Sequence, residues 1–436
     1  MRRLNSFVRS WPIAVFFTVS LISTALIFLS RGALLATYFH PAPTDSAMDF
    51  FNTLASAASD YPYATGSNYP PLCYVLLKAL HYLVPAGVPS EENLLTMGVA
   101  SAGLFLRNYE NAFIVYIVTH ALCVAIIALS VCHICSRMSE ARRTACVLMV
   151  IFAGPMLFLL ERGNILIFAI TATFVFFALH DSESLPLRGV AYLSIAVAAG
   201  LKIYPFIFAC VLLRERRTRD FFIVLGLTAF LYAFPFALLG GLDAVSGFFH
   251  GLTAFTSEHS SHGTGLQFST VNLFGIVELL TGLVAPDWLV LSTTLLTLIL
   301  GVFLILFSRK RWHGELCAGL MCVLIPSVSY TYSLVFLLPA FIDAFSCNDL
   351  GPTKRESSSL DRAEAVLLLA LTLSLCVIVL PIVQTDGNTV GEVAYPLYWS
   401  GLLINLSLIV QLISLGVLGF RHRLNRPAPL QTGAAD

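Results

Sequence analysis

"AFIVYIVTHALCVAIIALSVCHIC" occupies residues 112–135 and contains no Asp, Glu, Lys or Arg. As an α-helix this stretch would extend about 36 Å, enough to cross the roughly 30 Å hydrocarbon core of a bilayer. The rest of the chain has the same character, since 57% of the 436 residues are hydrophobic and 11% are charged. A mean hydropathy of +0.83 is more than a soluble domain of this size can bury. The sequence therefore predicts a polytopic membrane protein.

Apolar runs recur along the chain and predict an all-α bundle of about 12 transmembrane segments, some of them short. They lie near residues 11–33, 112–135, 144–160, 164–180, 189–201, 204–214, 219–240, 288–308, 314–329, 333–346, 365–383 and 398–420. The first run follows a basic N-terminus, as in a signal peptide. Its length and the lack of a small-residue cleavage site favour an uncleaved first spanning helix.

The distribution of Lys and Arg predicts the orientation, because cytoplasmic loops are enriched in both. Basic clusters occur at residues 2–9, 136–143, 214–219, 309–313, 353–362 and 421–426. If 189–214 and 314–346 form hairpins in the cell membrane, all of these clusters lie on the cytoplasmic side. Both termini are then cytoplasmic as well. Arms of 11–13 residues would reach about 16–20 Å, too short to span the core. Such arms predict a cavity that is open to the outside.

This topology gives a single transmembrane domain, 1–426, and a disordered cytoplasmic tail, 427–436. The loops 34–111 and 241–287 are then external, and we expect surface helices in the first of them. Its segment 70–84 is apolar and bounded by prolines, which favours an amphipathic helix lying along the membrane.

Composition indicates few other partners. The formal net charge is zero, so no nucleic acid partner is expected. The ten cysteines lie mostly in apolar runs without Cys/His ligand spacing, which predicts no metal site. His259 and His262 have ligand-like spacing but no acidic or Cys partner nearby, which favours a solvated loop. The sequence does not indicate the oligomeric state.

Ionisable residues close to membrane segments require an explanation, because burying them is costly. Asp45 and Asp49 follow the first spanning run and would share one face of a helix. Either acid could be a catalytic base or the cap of a surface helix. Lys202, beside Tyr204 at the apex of a predicted hairpin, could bind an anion or extend towards water from the membrane.

Two further polar stretches are also ambiguous. "ERGN", residues 161–164, could be an interfacial turn with an internal Glu161–Arg162 pair, or could hold a cation for a phosphate or carboxylate. "SVSYTYS", residues 327–333, includes Tyr330 and Tyr332 between apolar arms. These hydroxyl groups could bond neighbouring helices or recognise a sugar.

The order of these stretches resembles a known family. "MDFFNTLASA", "NYPPL", "ERGN", "GLKIYP", "STVNLFG" and "SYTYSLVFLLPA" follow one another within residues 10–345. The set resembles GT-C class glycosyltransferases that depend on polyprenyl phosphate, specifically glycosyltransferase family 87. This family includes bacterial envelope mannosyltransferases and arabinofuranosyltransferases. The resemblance implies an enzyme that transfers a mannose-like or arabinose-like sugar from a polyprenyl-phosphate carrier to an envelope glycan or glycolipid. Transfer would occur on the non-cytoplasmic face.

The resemblance also implies residue roles. Asp49 matches the presumed catalytic base, and Lys202, Arg162 and Tyr204 are expected at the donor phosphate. The residues expected to line the substrate cavity are Asp45, Tyr69, Glu161, Asn164, Asn272, Tyr330 and Tyr332. No cofactor or metal is implied, because fixed cations can stabilise the leaving phosphate. A single inverting displacement is expected, although Asp45 could be the second carboxylate of a covalent route.

One motif departs from the family pattern. The family often has Ser-Trp-x-His where this chain has Ser329-Tyr330-Thr331-Tyr332, so the sugar and any second acid–base group stay open. A transporter or lipid flippase remains an alternative, although the charges do not lie at mid-membrane and no inverted repeat is visible. An oligosaccharide ligase would use a large external loop with arginines, which 241–287 lacks. A non-catalytic relative that serves as a scaffold is a further alternative.

Overall fold

The structure is a computed structural model. It describes residues 2–39, 45–65, 67–84, 98–259, 267–308, 310–346, 362–380, 382–384, 389–390, 393–394 and 397–424. The tail predicted at 427–436 and His262 lie outside these residues.

The described chain is largely helical. Its α-helices are α1 (Arg2–Leu29), α2 (Met48–Ala58), α3 (Pro71–His81), α4 (Val99–Arg107), α5 (Glu110–Ile134), α6 (Glu140–Ile151), α7 (Gly154–Arg162), α8 (Leu166–Leu179), α9 (Leu185–Leu201), α10 (Cys210–Arg214), α11 (Thr218–Leu238), α12 (Leu242–His259), α13 (Thr270–Thr281), α14 (Asp287–Phe307), α15 (Arg311–Leu324), α16 (Leu338–Ser346), α17 (Arg362–Leu375) and α18 (Trp399–Leu424). Short 3₁₀ helices occupy Leu35–Thr37, Pro62–Thr65, Tyr204–Ala209 and Thr331–Leu337. Two short antiparallel pairs join β1 (Ile382–Gln384) to β4 (Leu397–Tyr398) and β2 (Thr389–Val390) to β3 (Val393–Ala394).

Helices of membrane-spanning length confirm the multi-pass class. Among the described residues, five helices are long and apolar enough to cross a membrane, and they lie within α1, α5, α11, α14 and α18. Much of their apolar surface is exposed; Leu21, Ile22 and Phe28 of α1, for example, are 70%, 54% and 78% exposed. Exposed apolar surface of this extent is expected where lipid covers the protein. The other apolar helices are shorter, so the number of about 12 segments stays a prediction.

One predicted segment differs from the observed helices. The sequence predicted a continuous run at 144–160, whereas α6 and α7 are bent by 45° at a break between Ile151 and Gly154. Pro155 explains the break: it lies in the first turn of α7, and proline has no N–H to continue a preceding helix. Counted as one bent span, the pair gives a sixth candidate crossing.

The helices α8 and α9 define two ends of the bundle, one near Asn164 and Lys202 and the other near His180. α8 begins just after Asn164 and ends just before His180, and its 14 residues extend about 21 Å. α9 packs against α8 and ends just before Lys202. At 17 residues α9 is longer than the predicted arm, because its helix begins at Leu185 with a proline in the first turn.

Other elements pack closely around this pair. α3 is helical within the predicted segment 70–84, and buries Cys73, Tyr74 and Leu77 against α2, α9 and α11. A Cβ at Gly319 of α15 would lie 2.4 Å from the carbonyl oxygen of Phe336, so only glycine allows this approach.

Candidate active site

The loop before α2 is anchored to the end of α7. Ala47 donates its backbone N–H to the carbonyl oxygen of Glu161 at 2.7 Å, and Ser46 donates its hydroxyl to Glu161 Oε1 at 2.8 Å. Arg107 of α4 adds a bond of 3.2 Å to the carbonyl oxygen of Ser46. These bonds fix the position at which α2 begins and hence the position of Asp49 in its first turn.

Gly163 makes this approach possible. Its φ of +62° is in the left-handed region, which ends α7 with little strain only in glycine. A Cβ at this position would also lie 3.0 Å from both Cα and O of Ala47. The glycine of "ERGN" is therefore explained by contact with the loop that carries the acids.

Arg162 joins the two predicted acids. Its Nη1 lies 2.5 Å from Asp45 Oδ2 and its Nη2 lies 2.5 Å from Asp49 Oδ1. The acids converge although α2 begins only at Met48, after the left-handed Ala47, so they do not share one continuous helix as the sequence suggested. The N-cap residue of α2 is Ala47, so neither acid occupies the N-cap position itself.

Asn164 holds the second oxygen of Asp49. Its Nδ2 donates to Asp49 Oδ2 at 2.6 Å and to the hydroxyl of Tyr69 at 3.3 Å, while its Oδ1 accepts the N–H of Leu166 at 3.0 Å. Asn164 is buried, whereas the Asp49 side chain keeps 16% of its surface exposed. Both Asp49 oxygens are thus oriented while the carboxylate remains accessible.

Lys202 lies across Tyr69 from this carboxylate. Its Nζ is 4.1 Å from the centroid of the Tyr69 ring, a cation–π contact. Within the part of the chain that the structure describes, Lys202 forms no ion pair closer than 4 Å. Its positive charge is therefore much less compensated than that of Arg162, which faces two carboxylates.

The remaining predicted residues lie at different distances from this cluster. Tyr332 is close enough to interact electrostatically with Asp49 and Tyr69, and its ring lies 5.7 Å from that of Tyr330. Tyr204 packs its ring edge-to-face against Phe336 at 5.6 Å. Tyr204 also interacts electrostatically with Tyr69, which places it beside the cluster.

Asn272 has a local structural role in the described chain. Its N–H donates to Ser269 Oγ at 3.0 Å, and its Nδ2 donates to the carbonyl oxygen of Gln267 at 2.5 Å. Gln267 in turn pairs as an isolated β-bridge with Tyr330. Asn272 therefore orders the segment behind Tyr330, and no described contact joins it to Asp49.

The arrangement combines two features needed for group transfer. Asp49 is an oriented, accessible carboxylate that can accept a proton. Lys202 is a cation that can bind a phosphate. Tyr69 separates the two, with Asp49 held beyond its hydroxyl and Lys202 over its face. Sequence reasoning missed Ser46, Arg107 and Gln267, because they act through partners remote in the sequence.

A second polar cluster lies at the other end of α8 and was also missed. His180, Asp181 and Glu215 are close enough together to hold a metal ion. However, Arg311 forms an ion pair with Asp181 and places Nη2 3.1 Å from His180 Nε2. Arg217 donates to the carbonyl oxygen of His180 at 2.8 Å. The arginines already supply the positive charge, which favours an ion-pair network.

An apolar groove of about 240 Å³ lies apart from both clusters. Helices α13, α14, α15 and α18 line it, with side chains such as Leu273, Thr297 and Leu412. The outward-open cavity expected around Asp49 stays a prediction.

Comparison with known families agrees with these observations. The model of glycosyltransferase family 87 matches residues 68–335, more than half of the 436 residues. The matched region contains Tyr69, Asn164 and Lys202, whereas Asp45 and Asp49 precede it. No curated protein is significantly similar to the chain. The chain belongs to glycosyltransferase family 87, and its apolar helices make it a multi-pass membrane glycosyltransferase.

Proposed function

We propose that this protein transfers a mannose-like or arabinose-like sugar from a polyprenyl-phosphate carrier to a glycan or glycolipid acceptor of the cell envelope. The observation that carries the proposal is the placement of an oriented carboxylate, Asp49, and a cation, Lys202, on either side of Tyr69. Among the described residues, Lys202 has no ion-pair partner within 4 Å. Both residues lie in a chain of the glycosyltransferase family, in which transfer needs a proton acceptor and a stabilised leaving group.

The reaction is a single displacement that inverts the anomeric configuration. A lone pair of the acceptor hydroxyl attacks the anomeric carbon of the sugar, and the hydroxyl proton moves to Asp49. The bond between the anomeric carbon and the phosphate oxygen breaks, and its electron pair leaves with the polyprenyl phosphate. Arg162 and Asn164 each bind one Asp49 oxygen. A carboxylate has about four lone-pair sites, so Asp49 keeps lone pairs that can take the proton.

Lys202 is the main cation at the donor phosphate in this mechanism. The phosphate is anionic before transfer and gains charge as it leaves, so a fixed cation stabilises it increasingly along the reaction. Tyr204, which interacts electrostatically with Tyr69, is assigned to the same phosphate. Arg162, which the sequence also assigned to the phosphate, directs Nη1 and Nη2 to Asp45 and Asp49. We therefore assign Arg162 chiefly to the orientation of Asp49, with any phosphate contact made by its remaining N–H groups.

The same proposal has the site on the non-cytoplasmic face and both termini in the cytoplasm. Arg217 and Arg311 lie at the His180 end of α8, whereas Asp49 and Lys202 lie at the Asn164 end. Basic residues are retained on the cytoplasmic side of membrane proteins. This distribution supports an external site, where a lipid-linked sugar and an envelope acceptor can meet.

The direct test uses the purified protein in lipid with a panel of radiolabelled polyprenyl-phosphate sugars and envelope glycolipid extracts. We expect one donor to give a labelled product with inverted anomeric configuration, and no such product with Asp49→Asn. Retention of configuration would contradict the single displacement and favour a covalent route that uses Asp45.

The transporter alternative is separated in the same system. Proteoliposomes loaded with the labelled donor should form product without net movement of intact donor between leaflets. Donor movement with no covalent transfer for any sugar would contradict the proposed function.

A further inference from the structure

Tyr69 contacts both functional halves of the candidate site. Its hydroxyl accepts a hydrogen bond from Asn164 Nδ2 at 3.3 Å, and the same nitrogen donates to Asp49 Oδ2 at 2.6 Å. The face of its ring lies 4.1 Å from Lys202 Nζ. One side chain therefore links the carboxylate to the cation, through its edge on one side and its face on the other.

The Tyr69 backbone is fixed by its neighbours. Tyr63 donates its hydroxyl to the Tyr69 carbonyl oxygen at 3.1 Å, and the Tyr69 N–H donates to the hydroxyl of Tyr74 at 3.4 Å. The Tyr63 and Tyr74 rings pack edge-to-face at 5.3 Å. Pro70 and Pro71 follow directly, and a residue before proline has a restricted backbone. This support limits the directions in which the ring can point.

The contact with Lys202 leaves the lysine charge available. Burial, followed by the charge of Asp49, raises the pKa of Tyr69 well above its usual value, so the phenol stays neutral. A neutral ring attracts the ammonium group through its quadrupole without cancelling the charge. An acidic partner would instead form an ion pair, as Asp45 and Asp49 do with Arg162.

We propose that Tyr69 is a positioning residue that holds Lys202 by its ring for the donor phosphate and, through its hydroxyl and Asn164, orients Asp49 for the acceptor. The inference rests on the proposed function and assigns separate tasks to the two parts of one side chain. The ring governs donor binding, and the hydroxyl governs turnover.

Two variants separate these tasks. Tyr69→Leu removes the ring face, so we expect the donor KM to rise about 10-fold, within the range of cation–π contacts. Tyr69→Phe keeps the face and removes the hydroxyl. We expect its donor KM to stay within about 2-fold of wild type and its kcat to fall about 3- to 10-fold, as for one lost hydrogen bond. An equal rise in donor KM in both variants would overturn the assignment.

A second measurement does not depend on sugar transfer. The folded protein is treated with an amine-acylating reagent, and labelling of each lysine is quantified by mass spectrometry. We expect Lys202 labelling to change about 3- to 30-fold in Tyr69→Leu and less than about 2-fold in Tyr69→Phe. Lys78, which pairs with Asp60 at 2.5 Å, is the internal control. Equal Lys202 labelling in all three proteins would overturn the positioning role, whether or not the protein transfers sugar.

Discussion

Replacement of Gly163 by alanine tests whether the contact between α7 and the loop before α2 positions Asp49. Alanine has two costs at this site. The φ of +62° at Gly163 disfavours an L-residue by roughly 1–2 kcal/mol. The new Cβ would also lie 3.0 Å from Cα and O of Ala47. Ordinary carbon contacts are about 3.5–4.0 Å, so residue 47 must move by about 0.5 Å.

That movement reaches the site directly, because Asp49 lies two residues after Ala47. The 2.5 Å contact with Arg162 and the 2.6 Å contact with Asn164 would lengthen or rotate. A misplacement of about 1 Å can reduce catalysis about 100-fold, so we expect kcat to fall about 10-fold or more. Donor KM should change little, because Lys202 is not attached to this loop.

Gly282→Ala is a matched control. Gly282 also has a left-handed φ, +72°, but a Cβ there would meet no atom within 4 Å. Both variants are purified in the same detergent, and Tm and sugar transfer are measured for each. We expect a lower Tm in both and a loss of kcat only in Gly163→Ala. Equal kcat in the two variants would refute the argument that the Gly163 contact positions Asp49.

Three further substitutions follow from the geometry. Lys202→Gln removes the charge over Tyr69 with little change in side-chain length. Initial rates across donor concentrations should show a donor KM at least 10-fold higher and a lower kcat. An unchanged donor KM would contradict the role of Lys202 at the phosphate. Asp45 is the more exposed of the two acids that pair with Arg162, since its side chain is 40% exposed and that of Asp49 is 16% exposed. Asp45→Asn keeps the shape of this side chain, so kcat should fall less than about 10-fold. A complete loss of activity with normal folding would favour a covalent role for Asp45. Arg311→Ala removes the partner of Glu315, a side chain that is 1% exposed and lies 2.7 Å from Arg311 Nε. The free energy of unfolding should fall by about 3–5 kcal/mol, which would appear as a large drop in Tm. An unchanged Tm would contradict a structural role for the ion-pair network around His180.

Hydropathy predicted the helical elements well because each long apolar run has one stable solution in lipid. The run 112–135 corresponds to Glu110–Ile134, and 219–240 corresponds to Thr218–Leu238. The bend after Ile151 was missed although Pro155 was visible, because the residues on both sides are equally apolar. Hydropathy measures transfer to lipid and does not register the backbone direction.

The candidate site was predictable in composition but not in pairing. The resemblance assigned Arg162 to the donor phosphate, yet its partners Asp45 and Asp49 are more than 110 residues away in the sequence. Which carboxylate pairs with which cationic side chain depends on the packing of α2 against α7, and no local pattern encodes that packing. The contact of Lys202 with Tyr69 is non-local for the same reason.

The central claim is that Asp49 is a base working opposite the cation Lys202. Its most direct test is a comparison of Asp49→Asn with wild type in two assays on the same preparation, namely saturable binding of the labelled lipid-phosphate sugar and its transfer to acceptor. Asn keeps the size and polarity of the side chain but cannot take the proton. The account predicts donor binding within a few-fold of wild type and a loss of transfer of about 100-fold or more. Transfer near the wild-type rate in Asp49→Asn would contradict it.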